Sequence, residues 1–380
     1  MKIVIAPDSF KGSLSAERIC EQVAKAAYKI IPGAEADCIP VADGGEGTLD
    51  SVIHSVNGSY ASVEVKNPLG QTVVAKYGIF DGDKAIIEMA QASGLPLIPS
   101  ADRNIMKASS YGTGQLIEAA MEKGCRTIYI GLGGSATNDG GMGCAAALGV
   151  RFYDEEANLL EPVPENLDKI AEIDLSMRNP NIMNTRFIVM SDVKNPLTGE
   201  LGATNVFGAQ KGANKEELHI LEKGMKHYAQ MMKKTCSCDV EYAEGAGAAG
   251  GLGAGLLAFV NAEIRSGIEQ ILKIVNFEER IKEADLVITG EGRMDAQSSY
   301  GKVVSGIGRI CKENHIPCIA LVGSMGDGAE IMYEHGIDSI MTTVNGVMSL
   351  EEALEQAETL CYQGAERMLR MVYAGRNIGV

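Results

Sequence analysis

The chain has 380 residues, 46% of them hydrophobic and 22% charged, with 45 glycines, which fits two domains or one large α/β unit and excludes a peptide-sized module or a disordered chain. Its 34 basic and 50 acidic side chains leave a formal charge of −16, opposing any non-specific attraction to nucleic acid or to an anionic membrane surface. Nine cysteines, an odd number without metal-ligand spacing, point to a reduced cytoplasm; the apolar residues after Lys2 are too few for a signal segment, and no run is long enough for a membrane span.

The first apolar run, residues 3–6, reads as a buried parallel strand, and the helical pattern at 15–30 follows it with Ser15 as N-cap. Residues 61–89 differ, since three alternating segments split by Asn-Pro-Leu-Gly and Asp-Gly-Asp predict an antiparallel meander. Further helical patterns lie at 114–123, 256–263, 303–314 and 350–372, the last opened by Ser349 and Glu352 as a capping box. Buried strands are expected at 127–131, 187–191, 286–289, 318–322 and 339–343, each feeding a loop rich in glycine or aspartate. The pattern is α/β. No linker or repeat marks a boundary, so the change of architecture near residue 62 is taken as one, with both chain ends contributing to a single open parallel sheet and the middle inserted.

Five polar loops follow predicted strands, where ligands meet the carboxyl ends of a sheet. The first carries Asp8, Ser9 and Lys11, and Lys11 suits an anion. The second places Asp43 and Glu46 around paired glycines, with hard oxygens suited to Mg²⁺. The third, Gly131-Leu-Gly133-Gly134-Ser135-Ala136-Thr137-Asn138-Asp139-Gly140-Gly141, matches the start of a G-x-G-x-x-A dinucleotide fingerprint, but a second turn-rich run delays the helix, favouring a phosphate or substrate loop. A similar glycine series at 245–253 lacks a good strand before it; its amides suit an anion, and its small residues equally suit close packing. The fourth loop holds Asp192, Lys194 and Asn195, with Asp192 a natural base or metal ligand. The fifth gathers Glu291, Arg293, Asp295, Ser298 and Lys302. Neither a P-loop, an H-E-x-x-H pair nor a G-x-S-x-G elbow is present, and His54, His219, His227, His315 and His335 lie away from these loops, which disfavours a Ser-His-Asp hydrolase.

In chain order, Ala6-Pro-Asp-Ser-Phe-Lys-Gly-Ser, Pro40-Val-Ala-Asp-Gly-Gly-Glu-Gly-Thr, Gly133-Gly-Ser-Ala-Thr-Asn-Asp-Gly-Gly, Ser191-Asp-Val-Lys-Asn-Pro-Leu and Thr289-Gly-Glu-Gly-Arg-Met-Asp resemble the type I glycerate kinase family over essentially the whole chain. The resemblance implies ATP- and Mg²⁺-dependent phosphorylation of D-glycerate, with the 2-hydroxyl favoured over the 3-hydroxyl. It also implies a flavodoxin-like parallel-sheet domain from both chain ends, residues 1–62 and 252–380, and an inserted mixed α/β domain, 63–251, with the active site in the cleft between them. On this reading Asp192, Lys11 and Arg293 are catalytic. Gly133, Gly134, Ser135, Thr137, Asn138, Asp139, Gly140 and Gly141 hold the triphosphate. Asp8, Ser9, Lys194, Asn195 and Ser298 meet the substrate, and Asp43, Glu46, Glu291 and Asp295 are the Mg²⁺ candidates. The competing readings are an NAD(P)-dependent oxidoreductase using the Gly131 loop and a non-catalytic metabolite-binding protein. Small molecules, rather than nucleic acid or membrane, are the expected partners, and oligomerisation is left open.

Overall fold

The computed structural model describes residues 1–299 and 301–376. They group into two compact units: Met1–Asp43, Asp50–Asn57 and the chain from Ile268 onward form one, and Gly44–Leu49 with Gly58–Gly267 form the other.

The first unit is built on a five-stranded sheet, ordered Ser339–Thr342, Cys318–Val322, Leu286–Gly290, Lys2–Pro7, Glu35–Cys38, with every pairing parallel. Numbered along the chain within the unit, this is the order 2-1-3-4-5 of flavodoxin-like sheets. Its inner strands are continuous apolar runs because helices cover both faces of a parallel sheet. Ser15 caps the helix Ala16–Ile30 by accepting the N–H of Arg18, and the buried stripe of that helix, Ile19, Val23 and Ala27 among others, packs with Cys361, Ala365 and Leu369 of the helix Ala357–Arg376. The predicted helix at 350–372 is in fact two. Leu350–Glu355 opens on the Ser349–Glu352 capping box and stops at Gln356, whose N–H turns back to Glu352 and Leu354 before Ala357–Arg376 begins.

The second unit has a six-stranded mixed sheet in the order Glu263–Arg265, Arg186–Met190, Thr127–Gly131, Lys84–Glu88, Thr72–Phe80, Ser59–Lys66. The first four strands are parallel, and the last three form the antiparallel meander expected from the alternating pattern. The strand Glu263–Arg265 pairs with Arg186–Met190, so the chain stays with this sheet beyond residue 251. The helical segment Ala248–Val260 is broken by left-handed residues at 249–251, so the helix expected at 256–263 starts earlier, just past that kink, and is ended by Asn261 with φ 53; an asparagine tolerates that left-handed position better than other non-glycine residues. The helix Lys215–Cys236, capped by Asn214 and Glu217, has no counterpart in the sequence reading. Its many charged residues hid a stripe, Leu221, Met225, Tyr228 and Met232, that is fully buried. The Tyr228 ring stacks near those of Phe152 and Phe259, at 6.0 and 6.5 Å.

Candidate active site

In the first unit, Lys2–Pro7 and Leu286–Gly290 are adjacent strands from which the chain departs to opposite sides of the sheet, with Pro7 opposite Gly290 in register. Such a switch point leaves a crevice beyond the carboxyl ends, the place where open parallel sheets bind ligands. Asp8 and Glu291 are the residues immediately past those two ends. The Asp8 N–H donates to the Gly290 carbonyl at 2.9 Å, and its carboxylate accepts the Ser9 N–H at 2.7 Å. A cavity of about 470 Å³ opens here, with Asp8, Ser9, Lys11, Asp43, Glu291, Arg293 and Lys302 on its polar side and Val344, Leu350 and Leu354 on its apolar side.

Burial, followed by the neighbouring charge of Asp43, pushes the Asp8 carboxyl up to about 7 against the pull of Lys11 and the Ser9 amide. Glu291 is 6% exposed. Burial raises its pKa too, with Ser298 and Lys302 opposing. Lys302 Nζ stands 3.6 Å from Glu291 Oε2, while Oε1 is buried without a hydrogen-bond partner among the described residues. A carboxylate oxygen left in that state is costly unless a ligand completes it. Among the described residues no three His, Cys, Asp or Glu side chains make a ready cage for a metal. Mg²⁺ does not require one, because it is usually held by one or two carboxylates, water and substrate phosphate.

Not every expected residue joins this cavity. Arg293 lines it but is exposed, and it pairs with Asp295 at 3.6 Å. Asp295 does not line it; its carboxylate accepts the Gln297 N–H at 2.9 Å and caps a short turn. Ser298 is wholly buried and its hydroxyl accepts the Asp295 N–H at 3.2 Å, so it supports the loop. Glu46 is exposed and lies in the short segment that belongs to the second unit.

In the second unit, Thr127–Gly131 and Arg186–Met190 are parallel neighbours with Gly131 opposite Met190. The 133–141 loop and the residues Asp192, Lys194 and Asn195 therefore leave the same sheet edge side by side. The segment Gly44–Leu49 crosses that edge so closely that a Cβ on Gly131 would sit 2.5 Å from the Gly44 carbonyl oxygen, which is why glycine is needed there. Buried Glu88, at the end of the next strand, anchors the crossing by accepting the Leu49 N–H at 2.7 Å. Asp192 and Lys194 are exposed. The Asn195 amide instead donates to the Leu201 carbonyl at 2.8 Å and closes its own loop.

The 133–141 loop divides into two halves. In the later half, Asp139 is fully buried and accepts the Ser110 N–H and hydroxyl at 2.7 and 2.8 Å and the N–H groups of Gly141 and Gly143, each at 3.1 Å. Burial still raises its pKa. The Gly140 N–H donates to the Gly250 carbonyl at 3.0 Å. The Asp139 carboxylate and the Gly140 and Gly141 amides, expected at phosphate, are already engaged within the fold. In the earlier half, the amides of Gly134, Ser135, Thr137 and Asn138 bond to no other described residue. The helix opens only at Met142, well past Ala136, the third glycine position where a dinucleotide fingerprint requires it, so the loop is not a Rossmann turn. At 245–253 close packing is what the structure uses. Ala249, Gly250 and Gly251 take φ of 53, 67 and 87, and a Cβ on Gly250 would fall 1.9 Å from the Thr137 carbonyl oxygen.

Sequence reasoning missed Glu88, Ser110 and Lys211, all buried polar residues around these loops. Glu88 ends a strand and Lys211 precedes a glycine, but such features also describe ordinary turns.

A profile of the glycerate kinase family matches residues 3–373. Glycerate kinase of Halalkalibacterium halodurans is 45% identical over 96% of this chain and 97% of its own, and glycerate 2-kinase of Escherichia coli K12 is 42% identical over 100% of each. A solved structure of a Salmonella typhimurium LT2 protein assigned as glycerate kinase 2 superposes with a TM-score of 0.90 at 41% identity, covering 99% of both chains.

Proposed function

The chain belongs to the glycerate kinase family, and on that premise we propose how its residues divide the work. It is a glycerate kinase, a phosphotransferase that uses ATP. The observation that carries the site assignment is the cavity at the switch point, where Asp8, Asp43 and Glu291 share one space with Lys11, Arg293 and Lys302. Phosphoryl transfer asks the protein mainly for placement and charge neutralisation, and acids interleaved with bases suit both.

In the proposed division, Lys11 and Arg293 neutralise the glycerate carboxylate or the transferring phosphoryl oxygens. Asp8, Ser9 and Lys194 orient the substrate. Asp192 accepts the proton of the attacking hydroxyl, and the free amides of Gly134, Ser135, Thr137 and Asn138 hold phosphate. Asp43 and Glu291 are the residues that would hold Mg²⁺, a fit supported by the unpartnered Glu291 oxygen; the bound ion would offset phosphate charge. Glu46 and Asp295 are weaker candidates on the placements above. The apolar residues lining the cavity, Val344, Leu350 and Leu354, would help keep water from the phosphoryl group.

The substrate is proposed to be D-glycerate and the position phosphorylated the 2-hydroxyl, supported by the relative named a glycerate 2-kinase. A reduced cytoplasmic setting is proposed from the nine cysteines, all free; among the described residues no helix is long and apolar enough to cross a membrane. Glycerate and ATP are the proposed partners, without nucleic acid.

The deciding experiment couples ADP release to D-glycerate and reads the product by proton-coupled ³¹P NMR. A phosphate on the 2-position has one vicinal proton and gives a doublet; one on the 3-position has two and gives a triplet. ADP release with a doublet supports the reading. A triplet overturns the position, and no glycerate-dependent ADP release overturns the substrate.

A further inference from the structure

Lys211 is 3% exposed, ending a short turn, Ala209–Lys211, in the second unit. Its Nζ donates to Ser135 Oγ at 2.8 Å and to the Thr137 carbonyl at 2.7 Å, and it makes no ion pair among the described residues. An ammonium buried with neutral partners alone is expensive, and such a group calls for an anion. The turn it holds is itself incomplete. Thr137 and Asn138 are 0% exposed, and among the described residues Thr137 Oγ1 and Asn138 Oδ1 have no hydrogen-bond partner, although the Asn138 amide nitrogen donates to Thr204 Oγ1 at 3.0 Å. The amides of Gly134, Ser135, Thr137 and Asn138 bond to no other described residue. Buried polar groups in native proteins are almost always satisfied. The open donors of this turn, its amides and the Thr137 hydroxyl, with a cation fastened to it, mark a place completed by a ligand rich in acceptor oxygens, while Asn138 Oδ1 calls for a donor.

We propose that Lys211 is a positioning residue for the phosphate group bound by the 133–141 loop, fixing the turn that carries the free amides and supplying the positive charge behind it. The inference rests on the reading that this loop holds phosphate of the nucleotide. Lys211 touches the loop, not the reacting atoms, so it acts through Ser135 and Thr137. Asp139 is the charged group that acts on it, and burial outweighs that attraction and lowers the Lys211 pKa to about 7. Arg103 packs its Cβ 3.4 Å from the position of a Cβ on Gly212, and its Nε is buried and has no partner among the described residues. An anion at the turn favours the protonated lysine, so binding draws in a proton above neutral pH.

The test measures ADP affinity in excess MgCl₂ by calorimetry from pH 6 to 9 for the wild type, Lys211→Met and Ser135→Ala, with KM for ATP and for D-glycerate. The expected result has Lys211→Met weakening ADP by about tenfold near pH 6.5, raising KM for ATP and leaving KM for glycerate unchanged. The wild type loses affinity above pH 7 and the variant does not, ADP's own ionisation being common to both. Lys211→Met binding ADP as the wild type does overturns the inference. If Ser135→Ala weakens ADP while Lys211→Met does not, the inference alone fails. If neither variant changes ADP binding, the phosphate reading of the loop fails with it. Should Lys211→Met not fold, the wild-type pH profile decides, and a Kd flat from pH 6.5 to 9 overturns the proposal.

Discussion

A single carboxylate oxygen of Asp139 accepts both the backbone N–H and the hydroxyl of Ser110, at 2.7 and 2.8 Å. The same side chain also receives the amides of Gly141 and Gly143, so one buried acid ties the start of the helix Tyr111–Glu122 to the glycine-rich loop. Asp139→Ala leaves those donors without an acceptor. The expected loss is about 3 kcal/mol of stability at constant m-value, read by urea unfolding; a loss below about 1 kcal/mol would show that the carboxylate is replaceable by water.

The Lys211 pKa of about 7 lies below the ordinary 10.5. Between those values the unfolded chain binds a proton that the folded chain does not, so this group's contribution to stability rises with pH across that window. Below pH 7 the penalty for burying the charge is at its full size. Comparing melting temperatures of Lys211→Met and wild type from pH 6 to 10, the difference should shift steadily in favour of the wild type as pH rises. A pH-independent difference would contradict the depressed value.

Gly250→Ala combines a left-handed backbone, φ +67, with a Cβ 1.9 Å from the Thr137 carbonyl oxygen. The carbonyl must move, and with it the bond to Lys211. The variant should lose at least about 2 kcal/mol and raise KM for ATP more than KM for glycerate. Equal effects on both substrates would argue against this turn serving the nucleotide.

For the proposed chemistry, Asp192→Asn should lower kcat by about 10²–10⁴-fold with the fold intact by circular dichroism. Wild-type turnover removes Asp192 as the base. Lys11→Met should act chiefly on KM, and unchanged KM for both substrates removes Lys11 from the site.

Glu291→Gln keeps the size of the side chain but withdraws the charge from the oxygen that has no partner among the described residues. The Mg²⁺ concentration for half-maximal activity should rise about tenfold or more, with little change in melting temperature. An unaltered Mg²⁺ requirement would shift the metal to the other acids.

What could be read from the chain alone was whatever is local. Apolar runs announced the central strands, Ser15 and the Ser349–Glu352 pair announced their helices, and alternation announced the meander. The loops bearing Asp8, Asp192 and Glu291 were found because polar residues directly after a buried strand have few structural reasons to be there. Helix Lys215–Cys236 escaped because its solvent-facing charges outnumber the stripe that packs.

The tertiary structure decided which polar groups remain available. Asp139, Gly140, Gly141, Asn195 and Ser298 looked like ligand contacts in sequence, yet their bonds go to partners tens of residues away or to their own turns. Lys211, which the sequence does not single out, is buried against Ser135 and Thr137. The reason is that hydrogen-bond satisfaction and burial are properties of a neighbourhood, and the neighbours of a loop come from strands and helices that composition cannot order. Which residues carry charge is written in the sequence; which of them must find a partner outside the chain is settled only when the sheet edges bring the loops together.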